Sequence, residues 1–112
     1  MIIVANFFTA RKEGFTNQAS IANTSPIWFR ESIVKELMPG NIVWRLKAGH
    51  ITEGDYRYHY TNQLKQLNEH KFDFGQLEGK TLLCWCKQGE FCHRYILADF
   101  LVEKLGYEVV RY

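Results

Sequence analysis

The sequence predicts a single α/β domain over residues 1–112, with a small, mainly parallel sheet flanked by helices and a C-terminal βαβ unit. Three observations carry that expectation. Residues 81–86 form a short apolar run rich in strand-compatible side chains. Residues 91–105 then read as a helix, with Gly106 just past its end as a C-cap. Residues 107–112 alternate well enough for a closing strand. A strand, helix and strand in that order are normally joined right-handed and parallel. Ligands of such sheets gather at the carboxyl ends of the strands. The cysteine-bearing turn stands at that end, so the site is expected there.

Composition narrows the class. With 46% hydrophobic and 15% aromatic residues, the chain has enough apolar material for one modest core and does not read as disordered. No apolar run reaches the roughly 18 residues that a membrane span needs. Residues 1–5 lack a basic flank and run straight into Asn6, so they read as a first strand rather than a signal peptide. Three cysteines are an odd count, and Cys84 and Cys86 are only two apart. Without a secretion signal this favours reduced thiols and a cytoplasmic protein. A formal net charge of +2 does not indicate a nucleic-acid partner.

In chain order, residues 2–5 form a buried strand, with Phe7 and Phe8 extending its packing. Residues 9–17 are polar, contain Gly14 and read as a loop; residues 18–22 read as a second short strand. A turn follows to Pro26, and Ile27, Ile33, Val34 and Leu37 fit a short helix ended by Pro39 and Gly40. Ile42, Val43, Trp44 and Leu46 suit a strand, solvated because of Arg45 and Lys47. Thr52 and Asp55 resemble a capping box, after which Tyr56, Tyr60, Leu64 and Leu67 share one helical stripe. Phe72, Phe74 and Leu77 pack in the connection to the central strand.

On the last helix, Leu97, Ala98, Leu101, Val102 and Leu105 form an apolar face that also carries Arg94 in its first turn. A guanidinium buried there requires a partner. That partner is either a bound anion, helped by the free N–H groups of the helix start, or a carboxylate of the fold such as Asp55 or Asp73. Cys92 at the helix start ranks first as a nucleophile, since the dipole and Arg94 lower a thiol pKa, provided it is the cap residue. Cys86 ranks second, at the carboxyl end of its strand, with His93 as acid or base. Cys84 reads as a core residue. Cys84, Cys86, Cys92 and His93 are ligand types for zinc, but a Cys-x-Cys in a strand is not the usual knuckle. No metal or cofactor is expected. His59 and Tyr60, on the preceding helix, are further candidates for substrate contact, weighed against structural roles.

The motif running from Leu82 through Cys84, Cys86, Glu90, Cys92, His93 and Arg94 to Leu101 resembles the family named domain of unknown function 488. Its members are similar here: an apolar strand ending in cysteine, a short acidic turn, then Cys-His-Arg opening a helix. The tyrosine-bearing helix from Tyr56 to Leu67 is similar to the segment that precedes the motif in that family. The resemblance implies an α/β fold and a cysteine-containing site, and it brings no established reaction. Many members carry glutamate where this chain has Cys86. The short chain also resembles compact bacterial or phage-type versions. The expected activity is therefore thiol-dependent chemistry on an anionic small molecule or nucleotide, with a non-catalytic binding or interaction module as the alternative.

Overall fold

The computed structural model describes residues 1–112. Strand β1 (Ile2–Asn6) leads into helix α1 (Phe7–Glu13), β2 (Gln18–Ser20) and β3 (Ser32–Ile33). A 3-10 turn (Lys35–Leu37), α2 (Ile42–Lys47), α3 (Glu53–Glu69) and a second 3-10 turn (Phe74–Leu77) follow. The chain closes with β4 (Thr81–Cys84), α4 (His93–Glu103) and β5 (Val109–Arg111). The five strands pair parallel throughout in the order β3-β2-β4-β1-β5, so the α/β expectation holds and the C-terminal βαβ unit straddles β1.

Alternation along the strands divides the core. Ile2, Val4, Ala19, Ile21 and Leu82 face α3 and α4 in one buried cluster, while Ala5 and Leu83 pack with Phe7 and Ala10 of α1 in another. Because α4 lies between the sheet and α3, it is buried on more than one stripe: Ile96, Leu97, Ala98, Phe100 and Leu101 are all inside. Val102, expected on the apolar face, is instead 43% exposed, and Leu105 is half-buried.

Three stretches differ from the sequence reading, and each is short. Residues 9–17 are not a loop from the start. The Asn6 side chain accepts from Thr9 N at 2.7 Å and caps α1, which ends where Gly14 turns left-handed at φ +69°. Phe7 and Ala10, one turn apart, are its buried contacts. The helix expected over residues 27–37 is replaced by β3 and a 3-10 turn. Ile27 and Ile33 are 88% and 53% exposed, so no apolar stripe is buried there, and Val34 N instead bonds to Ser20 O beside β2. The solvated strand expected around Trp44 is α2, where Ile42, Val43 and Leu46 lean on the core at helical spacing. The capping box at α3 is present, with Thr52 and Asp55 exchanging side-chain-to-backbone bonds of 3.0 Å.

Candidate active site

Strand β4 ends at Cys84, so Cys86 lies in the turn that follows rather than in the strand. Cys92 is the extended N-cap of α4. Strand end, turn and helix cap thus bring three sulfurs to within 4.8 Å of one another, at the carboxyl end of the central strand. Cys84 and Cys92 are buried, with their sulfurs 3.0 Å apart, and Cys86 is half-buried.

Arg94, wholly buried, holds this arrangement together. Its Nη1 donates to Cys84 Sγ at 2.9 Å and to Cys86 O at 2.8 Å. Its Nη2 donates to Tyr95 Oη, to the main-chain oxygen of Tyr112 and, at 3.3 Å, to Lys87 O. Neither Asp55 nor Asp73 is its partner. Asp55 belongs to the α3 cap and Asp73 accepts from Gly75 N. Tyr95 completes the clamp, accepting from Gly89 N at 2.9 Å and donating to Tyr112 O at 2.8 Å. Burial works against the guanidinium charge, but Cys84 first, then Cys92 and Tyr95, outweigh it and raise the pKa.

His93 is also buried. Its Nε2 lies 2.8 Å from Ile21 O, and a carbonyl can only accept, so Nε2 carries the proton. Nδ1 is then an acceptor, 3.6 Å from Cys92 Sγ. Burial pushes the His93 pKa down to about 4, against the opposing pull of the Ile21 carbonyl. Tyr60 touches this ring edge-on at 5.3 Å, but its hydroxyl donates inward to Leu37 O. His59 stays at the surface, edge-on to Tyr58.

The three sulfurs lie close enough for each to shift the others' pKa. Cys86 is pushed well below the ordinary thiol range, first by Cys84 and then by Cys92, with His93 and Arg94 adding to the effect. Cys84 is pushed up, chiefly by Cys86, and Cys92 is pushed up by Cys84, then Cys86, then burial. The helix-start argument puts Cys92 first in acidity; its neighbours and its burial push it the other way, and of the three thiols Cys86 is the one pushed down.

Beside the cluster is an open cavity of about 190 Å³, walled by Cys84, His93, Trp85, Trp44, Lys47 and Asn23 among others. The sequence reading passed over Trp44, Lys47 and Trp85. The signal available was a tryptophan left among lysine and arginine in α2, and another between two cysteines.

The family model described as the active DUF488-N3 subclade, DUF488-N3a, matches residues 12–105. The chain belongs to the DUF488 family. No curated protein and no solved structure matches it. In this DUF488 chain the thiol donors are of a type that thiophilic cations take. His93, however, turns Nε2 to Ile21 and Nδ1 to Cys92, so a fourth donor is already engaged. The protein as purified is therefore expected to carry less than one equivalent of tightly held zinc per chain. Elemental analysis finding a full equivalent, lost together with the thiols' protection from alkylation on chelation, would reverse that expectation.

Proposed function

We propose that this DUF488 chain is a thiol-dependent enzyme acting on an anionic, nucleotide-like molecule held in the cavity beside its cysteines. One observation carries the reading: an acidic thiol, two partner thiols, an imidazole and a buried guanidinium converge next to that cavity. Cys86 is the nucleophile: it is the half-buried thiol of the three, and its sulfur lies within 4.8 Å of that of Cys84, which walls the cavity. Cys92 and His93 Nδ1 hold and return the proton. Lys47 and Asn23 receive the anionic group, while the indoles of Trp44 and Trp85 flank a planar ring. Arg94 positions the turn rather than touching substrate. The matched family's description as active supports an enzyme over a binding module.

Iodoacetamide labelling across pH, followed by peptide mass spectrometry, tests the nucleophile. Cys86 is expected to be alkylated fastest at neutral pH, with an apparent pKa well below the free-thiol value of about 8.5. Cys84 and Cys92 should react only after unfolding, and a nucleoside monophosphate should slow the reaction of Cys86. Equal, slow labelling of all three would leave the non-catalytic binding module as the better reading.

A further inference from the structure

All three tryptophans of the chain are at the surface: Trp28, Trp44 and Trp85 are 37%, 68% and 42% exposed, beside Phe8 at 59%. Tryptophan is normally among the more buried side chains, so four exposed aromatic rings need a reason. They are also contiguous. The Phe8 ring centre lies 6.5 Å from Trp28 and 6.1 Å from Trp85, and buried Phe7 packs edge-on beneath both indoles. Trp85 and Trp44 then flank the cavity beside the sulfurs. The rings make one track along the carboxyl edge of the sheet, and it leads to the thiol site.

Two cations sit on that track. The Arg11 guanidinium is 4.9 Å from the Trp28 ring centre at one end, and the Lys47 ammonium is 5.4 Å from the Trp44 ring centre at the other. The rings meet at interplanar angles of 55–88°, so each offers its own face rather than part of one continuous stack. Separate π-faces with positive charge over the two outer rings suit a polymer of planar bases on an anionic backbone.

We infer that this aromatic track binds single-stranded nucleic acid, stacking its bases on Trp28, Phe8 and Trp85 and presenting one base to the cavity beside the cysteines. The inference deepens the thiol-enzyme reading by naming its substrate as a base within a strand, and it rests on that reading only for what happens in the cavity. A net charge of +2 does not announce such a partner, because stacking rather than charge carries the affinity. The salt dependence should accordingly be shallow. Two phosphates neutralised, at Arg11 and Lys47, correspond to a log–log slope of about −1.4.

Since every tryptophan lies on the track, intrinsic fluorescence reads it directly. The native chain is titrated with DNA and RNA single strands of about ten nucleotides, with the same sequences as duplexes, and with a nucleoside monophosphate. Single strands of at least one sugar type should quench the fluorescence and bind at least about ten-fold tighter than duplex or monophosphate. Phe8→Leu and Trp44→Leu, both at exposed positions and checked for folding by circular dichroism, should each weaken binding roughly 5- to 150-fold. Arg11→Gln should flatten the salt slope by about 0.7. The inference is overturned if single strands leave the fluorescence unchanged, if the monophosphate binds as tightly, or if both leucine variants bind like the native chain. Fluorescence that responds to protein concentration and not to oligonucleotide would make the track a protein interface, and would overturn it too. Alkylation separates the two readings: a fast, monophosphate-protected Cys86 without strand binding sinks this inference alone, whereas strand binding with three slow cysteines sinks only the thiol reading.

Discussion

Replacing Arg94 with methionine is expected to lower the free energy of unfolding by about 3–5 kcal/mol. The methylene stem is conserved in bulk, so the loss reports the guanidinium. Its removal strands the main-chain oxygens of Cys86, Lys87 and Tyr112 along with the Cys84 sulfur. Each bond to a charged donor contributes about 1.5–3 kcal/mol, and water at the half-buried turn recovers part of the sum. For a chain of this size the midpoint of thermal unfolding should fall by roughly 10–25 °C. Arg94→Lys keeps the charge but reaches fewer of the five acceptors, so it should recover only a minority of the loss. Far-UV circular dichroism against urea and temperature measures both. An unchanged midpoint in Arg94→Met would mean that the turn and β5 hold together without the clamp.

Acidification should destabilise the fold through His93 well before the carboxylates are protonated. The folded pKa is depressed to about 4, whereas an unfolded histidine titrates near about 6.5. Below that upper value the unfolded chain binds more protons than the folded one, so stability falls as pH falls. The contribution is complete above about 6.5 and is lost on the way down to about 4, which amounts to about 3 kcal/mol. Cys86 acts in the same direction, since with its folded pKa depressed the unfolded chain binds more protons at this residue below about 8.5. Asp55, also depressed through its bonds to Thr52, acts only at lower pH. His93→Gln isolates the histidine, being neutral throughout. Unfolding in urea between neutral and mildly acidic pH should show a steeper loss for the native chain than for this variant. Parallel curves would show that His93 takes up its proton over the same pH range in the folded and the unfolded chain.

What the sequence made legible follows from how locally each element is stabilised. β1, β4 and α3 could be read because their apolar spacing and the Thr52–Asp55 box act within a few residues of one another. β5 was legible as alternation around Val109. α1 and α2 were missed because helices of seven and six residues are too short to stand alone and are held by tertiary contact. β3 owes its existence to pairing with β2, which no local pattern announces. At the site, the motif named residues that the fold brings close together, but not their partners. Arg94 was expected to meet a bound anion or a carboxylate such as Asp55 or Asp73, and it meets the Cys84 sulfur, the Tyr95 hydroxyl and main-chain oxygens, the last of which leave no mark in a sequence. The acidity of Cys86 likewise depends on the sulfurs that β4 and α4 bring to it.

The position of β4 between β1 and β2 also dictates an order of events as the chain folds. Ile3 pairs with Thr81 and Gln18 pairs with the same residue from the other side, so neither early strand has its main neighbour until the last third of the chain arrives. α3, with its own cap, can form locally before then, but the sheet cannot close. The segment that closes it also carries Cys84 and leads directly to Cys86, Cys92 and Arg94. Completing the fold and assembling the sulfur cluster are therefore one step, and in a partly folded chain the three cysteines stand apart from one another and from Arg94.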